Sequence, residues 1–394
     1  MRDVYIASAV RTAIGKLCGA LAGFSAVDLG TIAVREAIAR AGVSPEDIDQ
    51  VVMGQAVQAG AGSNPARQVS LLSGIPVSVP SYTVNMVCGS GMKAVSLGAL
   101  AIRTGEAEIV AAGGMESMSN APYLLDKARK GYRLGDAELF DSLLRDALID
   151  PLGRYHMAMT AERLAEERGI SRGDQDSFAL GSQRKAKGAL EAGVFAAEIV
   201  PVRLPSSRGN TAQAVFDRDE SPRPDADAAS LAGLKPAFKE GGTVTAGNAS
   251  GINDGAAALV LVSGEEARRR GMKPLGKIVA AVSVGVEPER MGLGPVVATH
   301  AVVRAAGLSL SDISSVELNE AFAAQALAVI RELALEPDIV NPNGGAIALG
   351  HPLGSSGARI LVTLLHHMER QGGRFGLATL CIGGGQGMAV VVER

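Results

Sequence analysis

The sequence predicts a duplicated α/β fold: two layered halves, each a mixed sheet between helices, with a loop domain inserted into the first half. Three observations carry this expectation. Short apolar strands alternate with amphipathic helices along most of the chain. The stretch 33–51 nearly returns at 301–316, as helix, Gly stop, polar turn and strand. Residues 120–250 differ in texture, with irregular polar stretches and Pro201, Pro205, Pro222, Pro224 and Pro236. The expected domains are 1–119 together with 251–270, an insertion over 120–250, and a second half over 271–394.

The elements follow in order. Met1-Arg-Asp-Val-Tyr-Ile-Ala begins a first strand. Ser25 and Asp28 form a capping box, Leu29, Ile32 and Ala33 share a helical face, and Gly42 supplies the stop. A strand follows at Val51–Met53. Asn64-Pro65 opens a helix as N-cap and first-turn proline, and Gly74 closes it. Tyr82 to Met86 is the strand that delivers Cys88 to a helix starting near Ser90. The insertion holds helices over 157–168 and 174–192. The second half reads as strand 277–283, helix 295–306, strand 314–318, helices 320–334 and 356–371, then strands 374–382 and 387–393. Gly42 matches Gly307 at an offset of 265, Cys88-Gly-Ser-Gly91 matches Gly354-Ser-Ser-Gly357 at 266, and Gly113-Gly114 matches Gly383-Gly384 at 270.

Composition narrows the function. With 49 glycines, no Trp and 3% aromatic residues, the interior must be close-packed Ala, Val and Gly. A net charge of −3 without a basic stripe disfavours nucleic acid. The apolar run from Ala256 to Val262 is far shorter than a membrane span. Three cysteines without a CxxC pair fit neither a disulfide framework nor a zinc knuckle, and no metal constellation is visible. A reducing, cytoplasmic compartment is expected, because no apolar signal segment follows Arg2 and the C-terminus carries no peroxisomal tripeptide.

Two of those cysteines sit in glycine-rich turns, Cys88-Gly-Ser-Gly91 and Cys381-Ile-Gly-Gly-Gly385, and His351 lies between Gly350 and Pro352. A thiol just ahead of a helix meets backbone N–H groups and the positive end of the dipole, which favour thiolate. Gly89, Ser90 and Gly91 keep bulk away from the sulfur. His351 in its rigid turn is the natural base, whereas His300, His366 and His367 lie on helices and read as structural. A second thiol suits proton transfer at a carbon α to a thioester, and the N–H groups of Cys88 and Gly383 could bind an oxyanion. The Lys-containing turns at Gly15 and Gly276 lack the Ser/Thr of a P-loop, and no Gly-x-Ser-x-Gly elbow is present.

Asn85-Met-Val-Cys-Gly-Ser-Gly91, Gly113-Gly-Met-Glu-Ser-Met118, Asn248-Ala-Ser-Gly-Ile-Asn-Asp-Gly255, Asn319-Glu-Ala-Phe322, Gly350-His-Pro352 and Cys381-Ile-Gly-Gly-Gly385 resemble, in this order and across nearly the whole chain, the motifs of the thiolase family. The resemblance implies a five-layer α/β/α/β/α sandwich with an inserted loop domain. It also implies that Cys88 is acylated, that His351 activates it, and that Cys381 is the acid/base at the α-carbon. Asn319 would position a water beside His351, a role compatible with capping a helix that begins at Glu320. Coenzyme A would lie along the loop domain, on Arg223, Ser230, Phe238, Ala246 and Ser250, with His156, Met157, Met291 and Phe322 near the pantetheine and acyl end. No permanently bound cofactor is implied; coenzyme A thioesters are substrates.

Cys-Gly-Ser-Gly and His156-Met157 resemble the branch that joins two acetyl-CoA into acetoacetyl-CoA. The alternative is a degradative 3-ketoacyl-CoA thiolase for longer chains, since Ala158-Met159 departs from the usual Gly followed by Thr or Ile. A decarboxylating ketoacyl synthase would carry His where Cys381 stands, and a non-catalytic acyl-CoA binder would make both thiols incidental. Relatives form dimers or tetramers, which points to Leu124 to Asp146 as a contact segment.

Overall fold

The computed structural model describes residues 2–205 and 214–394; residue 1 of the first predicted strand and residues 206–213 of the predicted insertion lie outside the described residues. The first half is built from β1 (Val4–Thr12), α1 (Ala26–Ala41), β2 (Gln50–Gly54), α2 (Pro65–Leu72), β3 (Ser81–Val84), α3 (Ser90–Thr104) and β4 (Ile109–Ser117). After α4 (Ala158–Glu167) and α5 (Arg172–Glu191), β5 (Asn253–Ser263) returns to the first sheet. The second half contains β6 (Gly276–Gly285), α6 (Gly294–Ala306), β7 (Ile313–Leu318), α7 (Ala323–Glu332), α8 (Leu353–Gln371), β8 (Phe375–Ile382) and β9 (Gln386–Glu393).

The local signals act as their chemistry requires. Ser25 accepts from the Asp28 N–H while the Asp28 carboxylate accepts from the Ser25 N–H, and Gly42 takes the left-handed conformation (φ 67°) that ends α1. Gly307 repeats that stop after α6 at φ 70°. Asn64 caps α2 by accepting from Arg67.

The duplication is visible in strand order. In the first half β3, β2, β4, β5 and β1 lie side by side, with β2 parallel to its two neighbours and the others antiparallel. The second half repeats this as β7, β8, β9 and β6, with β7 parallel to β8. Tyr5 and Ile6 of β1 pair with Lys277 and Gly276 of β6, so the two sheets run on into one another. Register refines the repeat. Val51 faces Ala111 and Val316 faces Leu377, which sets the β4–β8 offset at 266. Gly113-Gly114 therefore corresponds to Thr379-Leu380; the expected match to Gly383-Gly384 fails, because the first pair is mid-strand and the second is a turn.

Five layers result: α1 and α2, the first sheet, α3 with α8, the second sheet, and α6 with α7. The central layer explains the glycine content. A Cβ at Gly114 would lie 2.0 Å from the Gly354 carbonyl oxygen, and one at Gly91 2.8 Å from it, so α3 and α8 approach at backbone distance. A buried charge cluster ties segments of the predicted insertion to β1: Arg11 donates to Glu198 (2.6 Å) and bidentately to Asp219 (2.7 and 2.9 Å).

Two predicted elements differ. The strand before Cys88 ends at Val84, because Asn85 leaves the ladder. Helix 320–334 begins only at Ala323, with Phe322 in the N-cap position, so Asn319 does not cap it. Among the described residues, no helix is long and apolar enough to cross a membrane.

Candidate active site

The Cys88 turn is built from residues 85–90. Asn85 Oδ1 accepts from the Val87 N–H (3.0 Å), and the buried Ser90 hydroxyl accepts from the Met86 N–H (2.9 Å) while donating to the Val87 carbonyl (2.7 Å). Together they hold Val87 at φ 46°, a left-handed conformation costly for a β-branched residue. Cys88 emerges there, one residue before the cap of α3.

His351 is fixed from three sides. Its N–H donates to Asn253 Oδ1 (2.9 Å), its Nδ1 lies 2.6 Å from Ser356 Oγ, and its Nε2 lies 3.5 Å from Asn319 Nδ2. Because Ser356 donates its own hydrogen to the Pro352 carbonyl, it must accept from Nδ1–H. Nε2 is thus the basic nitrogen, and Asn319 Nδ2 is directed to it. Burial pushes the imidazole down to about 3, so His351 is neutral with its Nε2 lone pair free.

Cys381 is the penultimate residue of β8, opposite Gly387, before a turn in which Gly384 and Gly385 both have φ 82°. A Cβ at Gly383 would meet the Met157 methyl at 2.6 Å, so a larger residue there would push that side chain aside. The N–H of Gly383 and that of Cys88 itself point at the Cys88 sulfur and pull its thiol down, but burial outweighs them and pushes it up to about 11. The expected thiolate preference is therefore reversed in the free site: desolvation wins over helix end and amides. Burial, and next the neighbouring Cys88 charge, hold Cys381 well above the usual thiol range.

These groups share one cavity of about 370 Å³. Cys88, His351, Cys381 and Gly383 line it, as do His156, Met157, Arg223, Phe238, Ala246, Ser250, Met291 and Phe322. Two predicted residues stand apart. Asn319 is fully buried behind His351 and reaches the cavity only through it. Ser230 lines an adjoining cleft of about 330 Å³ with Arg223, which belongs to both spaces. The Ser230 hydroxyl donates to the Asp227 carbonyl (2.8 Å) in the cap of a short helix. His156 stacks on Phe238 with ring centres 4.5 Å apart, accepts from the Ala158 N–H at Nδ1, and is lowered by burial, leaving a neutral ring with Nε2–H.

Met118, Leu144, Leu148, Ile252 and Leu353 add large side chains to the apolar lining and escaped the sequence reasoning. Leu353 was within reach, two residues beyond His351. Leu144–Leu148 form a π-helical turn, which shows no 3.6-residue pattern. Asn253, Ser356 and Glu116 were in view within the motifs but carried no signal of their contacts. Among the described residues, no group of three or more His, Cys, Asp or Glu side chains is arranged to hold a metal.

Comparison with known proteins fits this geometry. Residues 4–265 match the family description "Thiolase, N-terminal domain" and residues 272–394 match "Thiolase, C-terminal domain". The chain belongs to the thiolase family. It is 55% identical to the acetyl-CoA acetyltransferase of Escherichia coli (strain K12) and 52% identical to that of Cupriavidus necator, each over the full length of both chains. Among solved thiolase-family structures, it is similar to the Bacillus anthracis acetyl-CoA acetyltransferase (TM-score 0.97, 44% identity, 100% of this chain and 99% of the other). It is also similar to human mitochondrial 3-ketoacyl-CoA thiolase in complex with CoA (TM-score 0.96, 44% identity, 100% and 98%).

Proposed function

We propose that this chain is an acetyl-CoA C-acetyltransferase that reversibly joins two acetyl-CoA into acetoacetyl-CoA and CoA through an acyl-cysteine. One observation carries the proposal: two thiols, a neutral imidazole and the Gly383 N–H face a single cavity whose remaining wall is mostly apolar.

In the cleaving direction, the Cys88 proton passes to His351 Nε2 and the sulfur adds to the 3-keto carbon, with the N–H groups of Cys88 and Gly383 receiving the oxyanion. The C–C bond breaks, and the departing enolate takes its proton from Cys381. The high proton affinity of Cys381 suits this acid role. Acetyl-CoA leaves, and the proton held on His351 restores Cys381. CoA then gives its thiol proton to His351, attacks acetyl-Cys88 and releases the second acetyl-CoA, after which Cys88 is reprotonated. Condensation is the reverse path, with Cys381 as base. Asn319 assists at His351 Nε2 by placing a water for the enolate oxygen.

Arg223 and Ser230 would receive the polar end of CoA, while Phe238, Ala246 and Ser250 flank pantetheine; His156, Met157, Met291 and Phe322 border the acyl end. Free thiols at Cys18, Cys88 and Cys381 favour a reducing, cytoplasmic setting. Leu125, Tyr132, Leu134 and Leu139 are exposed along the predicted contact segment, and we assign them to an interface between copies of this chain in a homotetramer. Light scattering at four chain masses is the expected result. Relatives named acetyl-CoA acetyltransferase at 51–55% identity favour acetyl transfer over longer-chain cleavage. Rates of CoA-dependent cleavage on acetoacetyl-CoA and 3-ketohexanoyl-CoA test the choice; a faster rate on the longer substrate would favour the degradative alternative.

A further inference from the structure

Glu116 is fully buried, and among the described residues it forms no ion pair. A carboxylate without a cation is an expensive occupant of an interior unless its oxygens are needed as acceptors. Here they are. Oε2 accepts from the N–H groups of Ala56 (2.9 Å) and Gly354 (2.8 Å), and Oε1 from that of Val57 (3.2 Å). Gly354 lies in the first turn of α8, three residues after His351; Ala56 and Val57 follow β2 in the other half. From Ala56 the connection continues, because its carbonyl accepts from Asn85 Nδ2 (3.0 Å), and Asn85 Oδ1 holds the strained Val87 beside Cys88.

We propose that Glu116 is a positioning residue: by accepting from Ala56, Val57 and Gly354, it fixes the Cys88 turn of the first half against the His351 turn of the second. This rests on the acyl-transfer function and adds a residue that touches neither substrate nor reacting atoms. Glu116→Gln retains one acceptor oxygen but turns an NH₂ group toward an N–H donor, so the junction loosens without losing volume. Misplacing a nucleophile relative to its base by a fraction of an ångström to 1 Å slows reaction by up to about 100-fold.

The test is pre-steady-state release of CoA from acetyl-CoA, which reads formation of acetyl-Cys88 alone. Glu116→Gln should slow that burst by about 10- to 100-fold, with KM for acetyl-CoA within about twofold of wild type. A folded Glu116→Gln protein that acylates at the wild-type rate, or that loses only KM, overturns the proposal. Asn85→Ala alters an exposed residue at the far end of the same connection and is the second variant should Glu116→Gln not fold. It should slow the burst by about tenfold, and an unchanged rate overturns the proposal. In the double variant, the loss should not exceed that of the slower single variant, since both break one connection; multiplying losses would count against it. If wild-type protein forms no acetyl-Cys88, the acyl-transfer function itself fails, a result distinct from a wild-type burst that Glu116→Gln leaves intact.

Discussion

Cys88 and Gly354 occupy the same register in the two halves, yet their backbones differ. In the second half α8 begins at Leu353, so Gly354 lies within the helix and its N–H is held by Glu116. In the first half the corresponding helix starts three residues later in register, at Ser90, and residues 86–88 form a strained turn held by Asn85 and Ser90. The comparison teaches how a duplicated fold acquires one reactive thiol. One copy keeps the helical turn and packs it at backbone distance, while the other gives up that turn to carry a sulfur into the cavity.

The largest expected effect breaks the comparison at its chemical end. Cys88→Ala should lower acetyl transfer by at least about 10³-fold and abolish label uptake from acetyl-CoA, because no other group in the cavity sits on such a turn. Retained uptake would remove the nucleophile assignment. His351→Ala should cost about 10²- to 10³-fold in the same assay, with a smaller effect on KM.

The packed copy is tested by Gly354→Ala. Its new Cβ would sit 2.6 Å from the Met115 carbonyl oxygen and 2.7 Å from Gln55 Cα, both backbone. A loss of about 2–3 kcal/mol in urea unfolding is expected. A loss below about 0.5 kcal/mol would mean that α8 does not approach β4 and the end of β2 so closely.

Titration sharpens the electrostatic side. Cys88 is pushed up to about 11, so its thiolate fraction should keep rising about tenfold per pH unit from pH 7 to 10. Iodoacetamide rates in a Cys18→Ser background should follow that slope; a plateau near pH 8 would show that helix end and amides win after all. His351, lowered to about 3, should give acylation no acid limb near pH 6.5. The smallest effect tests the symmetry. Gly42→Ala and Gly307→Ala replace left-handed residues at matching helix ends, and each should cost about 1 kcal/mol, equal within a few tenths.

Much of this was legible in the residues. Ser25, Gly42, Asn64 and Gly307 announce helix ends because capping is local chemistry, complete within a few positions. The near-repeat around Gly42 and Gly307 disclosed the duplication, although the pairing of Gly113-Gly114 with Gly383-Gly384 did not hold, since glycine serves a close strand approach in one place and a tight turn in the other. Cys88, His351 and Cys381 stood out through their glycine settings. Asn253 and Glu116 were plain letters within motifs, because what they bind lies up to 238 residues away.

The chain's own chemistry therefore determined the order of elements, the two similar halves and the candidate reactive side chains. Tertiary structure decided which nitrogen of His351 is basic, that Cys88 rests as a thiol, and that Asn319 serves the histidine instead of a helix end. Hydrogen-bond partners and desolvation depend on groups brought together from distant parts of the chain, and proton affinity in a closed interior follows those neighbours rather than adjacent residues.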